Sequence, residues 1–255
     1  NGDVQQDDKK QNYANSKFVW TQNYVVEGAN AAMAPTTEEI VTTCLSKDGK
    51  PLRWVRKNDI YKYGKFTGTS TLETALYNMA VDEMINNYEK DGTLRTGLYW
   101  GGVWTRDVSY SSLLSLAYMC PDKVRNSLEV KIDRMGRIIQ DTGTGGSWPC
   151  SSDRVVWALS AWNIYLATGD MEWLEKAYPI ITKSLACDDM VVYNPQTGLY
   201  RGESSFIDWR EQSYPTWAQP ADIYLSECLG TNAAFYGVLK VTADMASVLG
   251  YKKEA

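Results

Sequence analysis

The chain is 255 residues long, has a formal net charge of −5 and contains no histidine. The missing imidazole excludes Ser-His-Asp and Cys-His catalysis and most zinc sites, which leaves carboxylates as the acid-base groups. The acidic balance argues against a nucleic-acid partner, which calls for basic patches, and no apolar run reaches the ~20 residues of a membrane span.

Residues 1–17 (NGDVQQDDKKQNYANSK) are polar and read as a disordered leader or the stub left after processing, which favours a periplasmic or secreted setting. Residues 18–70 mix short apolar runs (FVW, YVV) with turn signals such as SKDGKP and are expected to form an irregular lead-in with a strand or two. Helical periodicity takes over at residue 71. Leu72, Leu76, Met79 and Ala80 define a first apolar face, and Tyr110, Leu113, Leu114 and Ala117 a second. Val124, Leu128, Ile132, Met135 and Ile139 form the cleanest amphipathic stripe, with Lys, Arg and Asp on its other side. Residues 155–166 (VVWALSAWNIYL) are apolar nearly all round, as expected for an inner helix walled in by others. Trp173, Ala177, Ile180 and Ile181 follow on a helix opened by Asp170 as N-cap. The last segment, 232–249, stops at Gly250 with lysines beyond it.

The connections between these helices alternate between long and short. The long ones cover 91–106, 141–152 and 187 to about 221; the short ones are CPDK near Cys120 and TGD at 168–170. If consecutive helices run antiparallel, the long loops meet at one end, where a rigid scaffold would hold binding residues. Ten Trp and 17 Tyr against four Phe point the same way. These side chains offer an apolar face with a polar handle, which suits a sugar ring, although a share of them belongs to a Trp-rich core. The cysteines at 44, 120, 150, 187 and 228 are odd in number and lack CxxC spacing, so neither a disulfide framework nor a metal knuckle follows. Cys120, Cys187 and Cys228 read as small buried hydrophobes. No cofactor is implied.

Three loop motifs carry chemistry. In WTRDVSYSSLL, Asp107 either caps a helix or, with Arg106 and Trp104, grips vicinal sugar hydroxyls through paired hydrogen bonds. In GTGGSWPCSSDRVVW, Asp153 and Arg154 open another helix after a Gly-rich loop that lacks the phosphate-loop pattern; Asp153 is either cap or ligand. The stretch YRGESSFIDWREQSYPTWAQPAD packs Glu203, Asp208, Trp209, Arg210 and Glu211 into one loop. Large apolar neighbours would raise the pKa of Asp208 by desolvation, the condition for a carboxylic acid that donates a proton near neutral pH. The alternative is an Asp208–Arg210 surface ion pair.

WTRD opening a helix, then SDRVVWALSAWNIYLATGD, then FIDW followed by ECLGTNAAFYGVLKVTADMASVLG, resembles the six-hairpin (α/α)6-barrel glycosidases over roughly residues 70–250. The likeness is to glucoamylases, glycogen-debranching-type amylo-α-1,6-glucosidases and processing-glucosidase-like enzymes. The resemblance implies an all-α (α/α)6 toroid over residues 71–255. It matches Arg106 and Asp107 to the pair that holds the terminal sugar's outer hydroxyls, Asp153 to the acid opening the fourth helix, and Asp208 to the general acid. Trp104, Arg154, Trp209, Arg210 and Glu211 complete the expected substrate contacts. Glu227 and Asn232 stand where the family has a glutamate and asparagine at a helix start, but CLGT intervenes. Such barrels use about twelve helices and take the catalytic base from the last third, so these six helices are expected to be the N-terminal half. The remainder of the barrel, in a longer protein or another chain, is then a partner together with an oligo- or polysaccharide. The implied activity is an inverting, exo-acting hydrolase of α-linked glycosides, most readily glucosides. A non-catalytic carbohydrate-binding barrel and a polysaccharide lyase or epimerase are the other readings.

Overall fold

The computed structural model describes residues 11–14, 17–139, 153–203 and 215–251. The chain divides into two compact units, Asn1–Asn87 and Tyr88–Ala255.

The first unit is a six-stranded antiparallel sheet with one α-helix, where an irregular lead-in with a strand or two is expected from the sequence, so the chain as a whole is not all-α. Strands β1 (Gln11–Ala14), β2 (Phe18–Thr21), β3 (Tyr24–Glu27), β4 (Asn30–Thr36), β5 (Glu39–Leu45) and β6 (Pro51–Val55) lie side by side in chain order. Residues 11–14, assigned by composition to the leader, are thus an edge strand. Every partner is a sequence neighbour, so short turns suffice to build the sheet. Helix α1 (Thr71–Asn86) is set by a capping box: the Ser70 hydroxyl accepts from the Glu73 N–H, and the Glu73 carboxylate accepts from the Ser70 N–H. Its Leu72 and Ala75 join Ala34 and Ile40 in a core flanked by Trp20, Val25, Trp54 and Met79.

The helix turns a different face inward than its apolar residues suggest. Leu76 and Ala80 are exposed, while Asn78 and Asp82 are buried. The reason is a hydrogen-bond cluster on Asp82. Its carboxylate accepts from Trp54 Nε1 at 3.0 Å, from the Asn58 backbone N–H at 2.9 Å and from Asn58 Nδ2 at 2.8 Å. A buried, fully partnered carboxylate outweighs the gain from burying Leu76.

The second unit is helical. Helix α2 (Thr105–Ser111) runs through a π-helical turn (Ser112–Leu116) into α3 (Ala117–Met119), and α4 (Pro121–Glu129) follows at once with Pro121 at its first position. A 3-10 turn (Asp153–Val156) leads into α5 (Trp157–Thr168). Helix α6 (Met171–Val191) is capped by Asp170, whose carboxylate accepts from the Trp173 N–H at 3.0 Å. After β7 (Tyr193–Asn194) and β8 (Leu199–Tyr200) come α7 (Pro220–Leu225) and α8 (Leu229–Leu249), the last stopped by left-handed Gly250. Helix α5 packs against α2, α4, α6 and α8 and is the inner helix expected from its composition. Trp157 is fully buried and donates to the Leu128 carbonyl at 2.9 Å, and Trp173 donates to the Ala161 carbonyl at 2.9 Å. Both indoles are thereby buried without losing a hydrogen bond.

The amphipathic stripe expected to run from Val124 to Ile139 breaks at Glu129. Ile132 and Ile138 instead face each other across a small hairpin. The Asp133 carboxylate accepts from the backbone N–H groups of Met135 and Arg137, both at 2.9 Å, and Gly136 takes a left-handed φ of 76°. Together they form a turn that a helix cannot accommodate.

That hairpin is one of three alike. Tyr88 pairs with Leu94, Ile132 with Ile138 and Tyr193 with Tyr200. Each turn carries a positive-φ glycine, Gly92, Gly136 or Gly198, and the residue two places on is buried: Leu94, Ile138 or Tyr200. The backbone N–H of that residue donates to a side chain on a later helix. Leu94 bonds Ser127 Oγ at 2.8 Å, Ile138 bonds Ser184 Oγ at 3.0 Å and Tyr200 bonds Asn232 Oδ1 at 2.8 Å. Each acceptor is oriented by donating to the carbonyl four residues earlier in its own helix, Lys123, Ile180 or Cys228. The long connections therefore all begin from a pinned hairpin.

Candidate functional site

Thr105, the first residue of α2, is fully buried, and its hydroxyl donates to the Ile139 carbonyl at 2.5 Å. The chain just ahead of the second long connection is thus fastened to the mouth of α2. The helix N-cap is the extended backbone of Trp104. Asp107 lies in the first turn rather than at the cap expected for it, a position where the helix dipole still favours a carboxylate. Arg106 and Asp107 are half-buried there, and Trp104 meets Trp100 edge to face with ring centroids 6.5 Å apart.

The 3-10 turn that begins at Asp153 packs against α2 and α8. Arg154, expected to contact substrate, is almost wholly buried and forms an ion pair with Asp188 of α6, which is equally buried. Among the described residues its Nε and Nη1 have no hydrogen-bond partner. Asp188 was not anticipated, although it continues the buried spacing Ala177, Ile181, Ser184, Leu185 along α6. The side chain of Asp153 lies outside the described residues, as do Asp208, Trp209, Arg210 and Glu211.

Glu203 is buried, and its carbonyl accepts from the Thr231 hydroxyl at 2.8 Å near the start of α8. The neighbouring Gly202 pairs with Glu227 in a parallel bridge. Glu227 itself braces the third hairpin: its carboxylate accepts from Asn194 Nδ2 at 2.6 Å and Thr197 Oγ1 at 2.9 Å. The hydrogen bonds from Asn194 and Thr197, with Arg201 nearby, hold its pKa below the usual carboxylate range. Such a group stays ionised and is unsuited to donating a proton at neutral pH. Asn232, beside it in the motif, both accepts from the Tyr200 N–H and donates to the Tyr200 carbonyl, as a strand would.

The structure thus packs α2, whose first turn carries Arg106 and Asp107, against the 3-10 turn that carries Arg154. Among the described residues, no group of three or more His, Cys, Asp and Glu side chains is placed to hold a metal, and no helix is long and apolar enough to cross a membrane. Among the described residues no disulfide joins Cys44, Cys120, Cys187 and Cys228, and Cys150 lies outside the described residues.

Residues 140–255 match the family model of the bacterial alpha-L-rhamnosidase six-hairpin glycosidase domain. The match supports a six-hairpin glycosidase domain, and with it a glycoside hydrolase; it does not extend to glucoamylase or debranching specificity. The helical second unit fits a helical toroid of this kind. No curated protein matches the chain.

Proposed function

We propose that the protein is an exo-acting glycoside hydrolase that releases a terminal α-linked sugar with inversion, with Asp208 as general acid. The observation that carries this reading is the family match over residues 140–255, which includes Asp153, Arg154 and the FIDW stretch. The name of that family makes an α-L-rhamnoside the first substrate to test. The WTRD and FIDW elements keep the α-glucoside as the second. Arg106 and Asp107, at the mouth of α2, would hold the outer hydroxyls of the departing sugar, and Trp104 would cover its face. Trp209, Arg210, Glu211 and Asp153 would complete the contacts. A second carboxylate, about 6.5–9.5 Å from the first, would activate water on the opposite face. It is not assigned to any residue of this segment.

The experiment compares 4-nitrophenyl α-L-rhamnoside and α-D-glucoside with unactivated disaccharides of the same sugars, for the protein and for Asp208→Asn. Loss of an acid should cost about 10²–10⁴-fold on the unactivated substrate and much less where the leaving group needs no proton. Equal rates for the two proteins on the disaccharide would remove Asp208 from the role. Proton NMR of the first product settles inversion: the β-anomer must appear before mutarotation. Binding without turnover would favour the non-catalytic carbohydrate-binding reading, and an unsaturated product a lyase.

A further inference from the structure

The first unit carries a charge distribution that the glycosidase reading leaves unused. Residues 47–65 hold seven lysines and arginines against two aspartates, although the whole chain has a net charge of −5. Positive charge is thus concentrated on β6, the turn before it and the loop that follows it. Part of it is committed to carboxylates. Lys50 pairs with Asp48 at 3.7 Å, Arg53 with Glu39 at 2.7 Å and Arg56 with Glu38 at 3.1 Å. Glu38 also accepts from the Tyr61 hydroxyl at 2.7 Å. That hydrogen bond, with those from Arg56, keeps the pKa of Glu38 below the usual carboxylate range.

Lys62 and Lys65 are exposed and lie against aromatic rings instead. The Lys62 ammonium is 5.0 Å from the centre of the Tyr63 ring, and the Lys65 ammonium 5.2 Å from that of Tyr61. The Arg56 guanidinium sits 5.4 Å from the same Tyr61 ring. Two cations on one ring repel each other, and the pair with Glu38 neutralises only one of them. An added anion would relieve that repulsion. Tyr61 and Phe66 are 47% and 45% exposed. Tyr61 is held by its hydrogen bond to Glu38, and Phe66 packs on Tyr77 with ring centroids 5.3 Å apart. Rings held in this way lose little conformational entropy when a ligand settles on them.

Exposed ammonium groups interleaved with half-exposed rings fit a ligand that has both a negative charge and an apolar face. A uronate-bearing polysaccharide and a single-stranded nucleic acid both qualify, and the charge balance favours the first. A nucleic acid takes its affinity from many phosphate contacts, whereas this patch is small and the rest of the chain is strongly acidic. A uronate sugar needs one ammonium for its carboxylate and one ring for its apolar face. We propose that residues 61–66 of the first unit form a docking surface for an acidic, uronate-bearing polysaccharide. The proposal takes from the reading above only the class of partner, a carbohydrate, and none of the residues assigned to cleavage.

Affinity electrophoresis and calorimetry with oligogalacturonate compare the protein with three variants. These are the double variant Lys62→Ala, Lys65→Ala, the double variant Lys62→Arg, Lys65→Arg, and Lys240→Ala, which removes an exposed lysine of α8 as a charge control. Maltoheptaose serves as the neutral ligand and oligothymidylate as the phosphodiester one, and unchanged thermal melting confirms the fold of each variant. The parent should prefer oligogalacturonate to both other ligands and lose affinity for it as salt is raised. The alanine double variant should bind it at least tenfold more weakly, with the arginine double variant and Lys240→Ala within twofold of the parent. The proposal is overturned if the alanine double variant binds within twofold of the parent, if Lys240→Ala is weakened as much, or if the parent prefers either of the other ligands or binds no oligogalacturonate. Oligogalacturonate binding that depends on Lys62 and Lys65 in a protein without hydrolytic activity would keep this surface and sink the hydrolase. Glycoside hydrolysis by a protein that does not bind oligogalacturonate would do the reverse.

Discussion

Removing the Asp188 carboxylate should be among the most damaging single changes in the helical unit. Arg154 and Asp188 have side chains 2% and 1% exposed. Neither charge therefore has water to fall back on. Asp188→Asn leaves a buried guanidinium without its counter-charge, and breaking such a pair typically costs about 3–5 kcal/mol. For a domain of this size, 1 kcal/mol moves Tm by roughly 2–4 °C, so the expected loss is roughly 6–20 °C. The geometry also foretells the cure. Because burial costs both ions their hydration, an apolar replacement of similar volume should do as well. The double variant Arg154→Met, Asp188→Leu should therefore be more stable than either single one. Urea denaturation followed by circular dichroism gives the three free energies. If Asp188→Asn costs less than about 1 kcal/mol, well below the range for a buried pair, the reasoning fails. The double variant also separates folding from function: if it is stable and still hydrolyses glycoside, the pair serves the fold alone.

The hairpin pins give a second expectation. Ser184→Ala leaves the buried Ile138 N–H without its acceptor and should cost about 1–3 kcal/mol; amide exchange at Ile138 should quicken, and an unchanged exchange rate would refute the pin. Ser160 gives the opposite expectation: its buried hydroxyl has no partner among the described residues, so Ser160→Ala should leave the urea midpoint unchanged or raise it. The first unit should respond to acid through Asp82. Burial pushes the pKa of Asp82 up, but hydrogen bonds from Trp54, Asn58 and Lys57 more than offset this and leave it below the ordinary value. A depressed folded pKa contributes stability above the unfolded value, near 3.9, and that stability is lost as pH falls through the folded one. The Trp54 indole N–H resonance should report that loss, and Asp82→Asn should flatten the acid limb.

What could be read from the chain was local chemistry. Asp170 as a cap, Gly250 as a stop and the apolar run around Trp157 each act within a few residues, and each appears as expected. The sheet was harder to read, because its strands are short and mostly half-exposed. Asn30–Thr36, for example, runs NAAMAPT without alternation. The face of α1 is hidden for a related reason: Asp82 looks like a solvent charge until Trp54 and Asn58 supply its partners. The burial of Arg154 is hidden in the same way, since its counter-charge lies 34 residues away.

The three hairpins show where the boundary of legibility falls. A left-handed glycine followed two places later by a large apolar residue is a local signal, present at Gly92, Gly136 and Gly198. At Gly136 it was masked, because Ile132, Met135 and Ile139 also satisfy a helical period, and Asp133 decides between the two only through its bonds to the turn. The second half of the device is not local. Ser127, Ser184 and Asn232 catch their hairpins across 33, 46 and 32 residues, and a serine within a helix has no feature in sequence that marks it as an acceptor. The repetition itself is the recoverable clue. Three turns of one kind, each starting a long connection, imply one means of fastening used three times, so a pin found for one hairpin directs the search for the other two. The pins anchor the start of each long connection to a helix that packs elsewhere, so the chain leading to Arg106, to Asp153 and to Asp208 sets out in each case from a fixed point.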